Sequence, residues 1–235
     1  MIYDAIILSH PKDYNKISFC LDSLRNLDPS PMHTYLVTPD AVSIDGLISI
    51  SDKEAINVDI EQIHYKRPNW IYQQLIKLYQ DFTANNIYMC IDSDVIFNRP
   101  IHFTGKTFFI SDRAQHHEPY FNFMKSYFGI TEWANHTFIN DFMIFDKQLC
   151  RIMLPEINRF VEHLNTYLSD DRYLFSEFET YGNFVAHNFS GMYTFRLTKT
   201  KTLGKYTSWD TQELIIAKEL CKTLPIDLFT VHTWT

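Results

Sequence analysis

The stretch that decides the fold is NIYMCIDSDVIFNRP, Asn86 to Pro100. Its apolar run, Ile87 to Ile91, is typical of a strand that is buried on both faces. The run ends at Asp92 and Asp94. Because unpaired carboxylates are too costly to bury, we place these two residues at the edge of a sheet. Open α/β folds bind their ligands at this edge. Because the two aspartates are two positions apart in an extended segment, they share one small volume, and their repulsion favours a bound cation. The stretch therefore predicts a divalent-metal site.

Length and composition indicate one α/β domain of 235 residues without a transmembrane span, because no apolar run approaches 18 residues. The N-terminus, MIYDAIILSHPKD, lacks the basic region and cleavage site of a signal peptide, so we expect a cytoplasmic protein. The four cysteines are scattered, which favours reduced core thiols over a disulfide framework or a zinc site. A net charge of −7 argues against nucleic acid or an anionic membrane as the main partner.

The chain opens with a strand, a helix and a second strand, which together predict a βαβ unit. No GxGxxG follows the first strand, so a Rossmann dinucleotide site is not expected. The apolar patterns predict the following elements: strands at 3–9, 33–38, 47–51, 87–91, 95–97, 105–111, 136–146, 192–198 and 228–232; helices at 13–26, 67–82, 120–128, 147–164 and 211–220; a polar loop at 112–118 and a basic loop at 199–205.

The helix predicted from Arg67 to Phe82 has one strongly apolar stripe, and its other face collects Trp70, Gln73, Gln74 and Lys77. One interpretation is that this second face of the helix is exposed to solvent and carries a single exposed tryptophan. The other is that this face borders a ligand cleft, where the lysine supplies a cation to a phosphate and the glutamines supply hydrogen bonds.

Two acidic positions farther along the chain are candidates for catalysis. Asp141 interrupts the strand predicted at 136–146, so it either binds a sugar hydroxyl or a reacting group, or lies on a strand edge facing water. Glu177 and Glu179 lie among aromatic residues in FSEFETYGNFVAHN, residues 175–188. An apolar wall raises the pKa of a carboxylate towards that of a general base, whereas on a solvated helix both glutamates would face water. The polar loop, with His116, His117 and Glu118, is a further candidate for substrate contact.

The ordered set of these segments resembles the GT-A type glycosyltransferases, and more narrowly a family of small glycosyltransferase-like proteins from microbes and large viruses. The resemblance is carried by HPKDYNKISFCLDSL, by RPNWIYQQLIKLY followed by IDSDVIFNRP, and by HEPYF, FMIFDK and SEFETYGNF. It implies a GT-A-like α/β fold with a mixed, mostly parallel sheet flanked by helices. Residues 1–100 would form the nucleotide-binding half of the single domain, 1–235, and residues 101–235 the acceptor-binding half.

The resemblance also implies a function. A hexose or pentose would pass from a UDP-, GDP- or TDP-sugar to a hydroxyl of a glycan or another acceptor, with Mn²⁺ or Mg²⁺ as the cofactor. Asp94 would bind the metal directly, and Asp92 would hold the ribose or the metal through water. A third ligand would be His232, with His187 as the second choice. Where other family members carry histidines before MIFD, this chain has Asp141 and Phe142.

The remaining roles follow the same resemblance. Ser9, His10, Lys12 and Thr38 would border the base, while Trp70, Gln74 and Lys77 would approach the donor. A carboxylate would deprotonate the acceptor if the anomeric centre inverts, and Glu177 or Glu179 would be that base.

Two other functions fit the same residues. IDSDV is similar to the signature of haloacid dehalogenase-type phosphatases, in which Asp92 would be the nucleophile and Asp170 with Asp171 the later acidic pair. Those enzymes usually place the nucleophile on their first strand, whereas a βαβ unit precedes it here. A sugar-binding protein that keeps the fold without catalysis is the third possibility.

Overall fold

The computed structural model describes residues 1–111, 116–133, 136–167 and 173–233. Twelve strands are numbered along this described part of the chain: β1 (Asp4–Leu8), β2 (Leu27–Asp28), β3 (Thr34–Thr38), β4 (Ile48–Ser51), β5 (Ile87–Asp92), β6 (Val95–Phe97), β7 (Ile101–His102), β8 (Thr107–Ser111), β9 (Phe142–Asp146), β10 (Thr194–Thr198), β11 (Thr200–Lys205) and β12 (Leu228–Thr233). Its helices are: α1 (Tyr14–Ser23), α2 (Asp52–Ala55), α3 (Pro68–Tyr79), α4 (Glu118–Phe128), α5 (Lys147–Met153), α6 (Ile157–Thr166), α7 (Glu177–Phe189) and α8 (Thr211–Lys222).

The central sheet has the order β4-β3-β1-β5-β9. Its first four strands are parallel, and β9 runs antiparallel to β5. This confirms the predicted α/β class with a mixed, mostly parallel sheet flanked by helices. The chain moves outward from β1 to β3 and β4, then returns to β5 on the other side of β1. The switch point between β1 and β5 is where open α/β sheets bind ligands, at the carboxyl ends of the strands.

The core lies on both faces of the sheet. In β5, Met89 and Ile91 belong to one buried cluster and Cys90 belongs to the other. The prediction that this strand is buried on both faces is therefore confirmed. Helix α3 begins at Pro68, whose missing N–H is tolerated at the first helical position. In its predicted apolar stripe, Ile71 and Leu75 are fully buried and Phe82 is partly buried.

A three-stranded sheet, β11-β12-β6, brings the last strand next to the acidic pair. Strand β6 follows the Asp92-Ser93-Asp94 turn and pairs antiparallel with β12. The N–H of Val231 donates to the carbonyl of Asp94 at 3.0 Å, which extends this pairing to the turn itself. The next residue of β12, His232, is thereby held beside Asp94.

Several predicted boundaries are wrong. The basic loop at 199–205 is strand β11 from Thr200 onward, because its backbone pairs along the whole of β12. The helix predicted at 147–164 is divided between α5 and α6, because Pro155 cannot continue the helical hydrogen bonds. The strand predicted at 136–146 begins only at Phe142. Asp141 therefore precedes a strand and does not interrupt one.

Some predictions are not tested by the described residues. Residues 112–115 of the polar loop, and Asp170 and Asp171, lie outside them. The functional division of the domain at residue 100 stays a prediction. Searched over the described ranges, the helices include none that combines the length and the apolar character needed to cross a bilayer.

Candidate functional site

A cleft of about 860 Å³ opens at the switch point of the central sheet. Residues from β1, β5, α3, α7 and β12 all contribute to its wall. The predicted site residues that line it are the following: His10, Lys12, Trp70, Gln74, Lys77, Asp92, Asp94, Asp141, Glu177, Glu179 and His232. The register of the sheet explains the centre of the site, because Leu8 at the end of β1 pairs with Asp92 at the end of β5.

Three of the predicted residues lie away from the cleft wall. Ser9 and Thr38 are buried, and the hydroxyl of Thr38 donates to the carbonyl of Asp40 at 2.7 Å. His187 is on the exposed side of α7, where its Nε2 lies 2.8 Å from the carbonyl oxygen of Thr131. Of the two histidines predicted as a third metal ligand, only His232 is therefore at the cleft.

Asp94 and His232 form an acid–imidazole pair in the cleft, with 2.6 Å between Asp94 Oδ2 and His232 Nδ1. Burial raises the pKa of Asp94, but the hydrogen bond and charge of His232 outweigh burial and lower the net pKa. The same hydrogen bond raises the pKa of His232 against the effect of burial. The backbone of His232 is fixed as well, because the Trp209 indole N–H donates to its carbonyl at 2.9 Å.

Lys77 connects the acidic turn to α7. Its ammonium lies 2.8 Å from Asp92 Oδ1 and 2.7 Å from Glu177 Oε1, and the lysine side chain is almost fully buried. Burial alone would lower the pKa of Lys77, but the two carboxylates reverse this and raise it. The lysine is thus a neutralising link between two acidic groups. Gln74, one turn earlier, accepts the backbone N–H of Glu177 at 2.9 Å and positions the start of α7.

Glu179 is bound differently from Glu177. One of its carboxylate oxygens accepts from the Thr137 hydroxyl at 2.7 Å and the Phe138 N–H at 3.1 Å, and the other accepts from Asn183 Nδ2 at 3.0 Å. Burial raises the pKa of Glu179, and these three hydrogen bonds oppose the rise. Both glutamates are buried, so the alternative of a solvated helix face is wrong. Glu179 holds the chain before β9, while Glu177 faces the acidic turn.

Strained backbone also marks the cleft. In the described ranges, Arg67 and Asp141 are the non-glycine residues with positive φ, at 59° and 62°, and both line the cleft. This conformation costs a side-chain-bearing residue about 1–2 kcal/mol. The Asp141 carbonyl accepts the N–H of Asp92 at 3.1 Å, so the strained residue is joined directly to the acidic turn.

Lys12 and Lys16 carry positive charge near the acidic turn. Lys16 is fully buried and lies 2.6 Å from Asp13 Oδ1 and 3.2 Å from Thr233 Oγ1. Lys12 is exposed at the cleft, and the described contacts give its ammonium no hydrogen bond or ion pair. Lys12 therefore retains its donors for a ligand, whereas Lys77 and Lys16 are already paired.

The sequence interpretation missed Lys16, which is buried near the acidic turn, and three residues of the cleft wall, Arg67, Tyr120 and Tyr173. Lys16 gives no signal, because a lysine in an amphipathic helix normally faces solvent. Tyr120, Tyr173 and Arg67 extend the wall from Trp70. The predicted helix start, RPNW, gives no signal for Arg67, because a residue before proline normally has an extended backbone, whereas Arg67 is left-handed.

The donor chemistry of the acidic turn fits a hard divalent ion. Mg²⁺ and Mn²⁺ take oxygen ligands, and Mg²⁺ is usually held by one or two carboxylates with phosphate oxygens and water. Among the described residues, no three His, Cys, Asp or Glu side chains already surround one point. Asp94 and His232 thus fit as the protein ligands of an ion whose other ligands come from a phosphorylated ligand and water.

A family model with the description "Family of unknown function (DUF6492)" matches residues 9–219. The chain belongs to this family. The DUF6492 match covers the acidic turn, α3 and most of α8, and it ends before β12 and His232. No curated protein matches the chain.

Among solved structures, the DUF6492 chain is similar to two of LgtC. An active-site mutant of LgtC shows 8% identity and a TM-score of 0.47, over 99% of this chain and 88% of that chain. The galactosyltransferase LgtC in complex with donor and acceptor sugar analogues shows 11% identity and a TM-score of 0.45, over 97% and 86% of the two chains. At such identities residue roles do not transfer from LgtC to this chain.

Proposed function

We propose that the chain is a metal-dependent glycosyltransferase that moves a hexose or pentose from a nucleotide-diphosphate sugar to a hydroxyl of a glycan or another acceptor. The observation that carries the proposal is the acidic turn at the switch point, with His232 against Asp94 and a cleft of about 860 Å³ beside it. Open α/β sheets bind nucleotides at this position. A charged diphosphate needs local cations in a protein of net charge −7, and the turn can supply one by binding a metal.

In this proposal Asp94 and His232 hold Mn²⁺ or Mg²⁺, and Asp92 holds the ribose or a metal-bound water. When bound, the ion supplies electrostatic stabilisation of the departing diphosphate. Lys12, whose ammonium has no described partner, binds the diphosphate at the end of β1. The paired Lys77 keeps Asp92 and Glu177 in fixed positions.

For the proton of the acceptor hydroxyl, Glu177 and Asp141 are better placed than Glu179. Both oxygens of Glu179 are already engaged by Thr137, Phe138 and Asn183. The carboxylate of Glu177 faces the acidic turn through Lys77, and Asp141 is fixed to the same turn by its backbone. We therefore assign the base of an inverting reaction to Glu177 or Asp141, and Glu179 to positioning of the chain before β9.

Titration calorimetry with UDP-, GDP- and TDP-sugars in the presence of Mn²⁺ tests the proposal. We expect at least one donor to bind, and we expect both binding and transfer to be lost in Asp94→Asn. Asp45→Asn is the matched control, because it removes the same charge from an exposed loop outside the cleft. If no donor binds with Mn²⁺, the transferase proposal fails.

The same assay set distinguishes the other functions. Release of phosphate from an aryl phosphate, abolished by Asp92→Asn, would favour the phosphatase. Donor binding without hydrolysis or transfer over a broad acceptor panel would favour a sugar-binding protein.

A further inference from the structure

One end of the cleft is built from aromatic side chains around an arginine. The Arg67 guanidinium carbon lies 4.7 Å from the ring centroid of Tyr173 and 5.6 Å from that of Trp70. The Trp70 ring also stacks on Tyr120, with 6.4 Å between centroids. Aromatic rings that flank a cation in this way hold it by cation–π attraction and fix the plane of the guanidinium.

The rings of Trp70 and Tyr173 position the Arg67 guanidinium, but its N–H donors form no hydrogen bond within the described residues. Over the described ranges, Arg67 makes these two ring contacts and no side-chain hydrogen bond or ion pair. A guanidinium has five N–H donors in a planar fork that matches a carboxylate or a phosphate. The residue also has a strained backbone, with φ at 59°, and it lines the cleft. Such an arrangement is suited to an anion that approaches from the cleft.

Arg67 precedes the first residue of α3, whereas the residue of this helix that touches the acidic turn is Lys77, near the other end. Arg67 precedes Lys77 by ten positions along α3, which corresponds to a rise of about 15 Å. Lys77 is the residue that touches Asp92, so the two ends of this helix border two ends of the cleft. If the diphosphate binds at the acidic turn, the ligand at Arg67 is the acceptor.

We propose that the end of the cleft formed by Arg67, Trp70, Tyr120 and Tyr173 selects an acidic saccharide as the acceptor. This inference rests on the proposed function. The guanidinium binds a carboxylate or phosphate of the acceptor, and an aromatic face packs against a neighbouring sugar ring. The acidic group lies at least one sugar ring away from the reacting hydroxyl, because Arg67 and the acidic turn are at opposite ends of α3.

Calorimetry without donor or metal tests this inference separately from the proposed function. The probes are a tetrasaccharide of alternating glucuronic acid and N-acetylglucosamine, its neutral methyl ester, and the same backbone bearing phosphate in place of the carboxylates. We expect an acidic probe to bind at least about tenfold more tightly than the ester, since hydrogen bonds to charged groups are worth a factor of this order. The ranking of carboxylate and phosphate probes identifies the anion.

Arg67→Gln should abolish the preference for the acidic probe, and Arg67→Lys should keep only part of it, because lysine retains the charge without the planar fork. Lys53→Gln makes the same charge change at an exposed position outside the cleft and should keep the full preference. The inference is overturned if neither acidic probe binds, if acid and ester bind equally, or if Arg67→Gln retains the preference. Donor binding with Mn²⁺ is measured independently, so a failure here leaves the transferase proposal standing.

Discussion

Oδ2 of Asp94 and Nδ1 of His232 lie 2.6 Å apart, although one residue follows β5 and the other is in the last strand of the chain. The antiparallel pairing of β6 with β12 brings them together. This contact gives the acidic turn an imidazole that no neighbouring residue of the sequence could supply.

Replacing His232 should weaken metal binding. We expect His232→Gln to reduce the affinity for Mn²⁺, measured by calorimetry, by about tenfold or more, because the variant loses the proposed nitrogen ligand beside Asp94. His187→Gln is the control, since this histidine is exposed on α7 and lies off the cleft wall. An equal effect of the two substitutions would contradict the assignment of His232.

Removing the cation of Lys77 should destabilise the protein strongly. Lys77→Met leaves the nearly buried carboxylate of Glu177 without its ammonium partner, while Asp92, whose side chain is 39% exposed, loses a partner that water can partly replace. Loss of one partner of a buried pair costs about 3–5 kcal/mol, which urea unfolding would detect.

A double-mutant cycle provides the control for this loss. Adding Glu177→Gln to Lys77→Met removes one uncompensated charge, so the double variant should be more stable than Lys77→Met alone. If the two losses simply add, Lys77 and Glu177 are not coupled as the contact distance indicates.

Gly182 of α7 should tolerate no side chain. A Cβ at this position would overlap the ring of Phe138, whose N–H is bound to Glu179. We expect Gly182→Ala to lower the free energy of unfolding by about 1–3 kcal/mol through overpacking. Gly191→Ala is the matched control, because a Cβ there has open space. Equal stability of the two variants would contradict close packing of α7 on the chain before β9.

Glu179 should make stability depend on pH in a defined direction. Burial raises its pKa in the folded protein, so the folded state favours the protonated carboxyl. Its contribution is fully present below the unfolded pKa, near 4.5, and is lost as the pH rises through the raised folded value. The difference in unfolding free energy between wild type and Glu179→Gln should therefore shift against the wild type as the pH rises from about 4 to neutrality.

Urea titrations of both proteins at each pH measure this difference, and subtraction removes the contribution of the other titrating groups. A difference that stays constant across the range, or that shifts in favour of the wild type, would contradict the raised pKa of Glu179.

The centre of the site could be predicted because the signals are local. Asp92 and Asp94 come at the end of an apolar run, so the sequence predicts that a buried strand ends at these positions. The sequence does not predict the ion pair of Lys77 with Glu177, because this contact depends on how α3 packs beside α7. For the same reason the sequence did not distinguish Glu177 from Glu179, whose neighbours come from different segments.

Errors in the element boundaries have comparable causes. Pro155 indicates a break between α5 and α6, but the apolar pattern on both sides of it predicts one continuous helix. The lysines and threonines of β11 predicted a loop, since polar side chains on an edge strand leave no apolar signal. The apolar pattern around Asp141 predicts a strand that includes it, whereas Asp141 has a left-handed backbone, with φ at 62°, and β9 begins at the next residue.

The pairing of β6 with β12 has a consequence for the order in which the site can be assembled on the ribosome. The sheet of β4, β3, β1, β5 and β9 can form once residue 146 has emerged; its strand β5 ends at Asp92, and Asp94 lies in the turn that follows. The imidazole arrives only with residues 228–233, after α7 and α8. A nascent chain thus acquires its full set of proposed metal ligands only after the walls of the cleft have been synthesised.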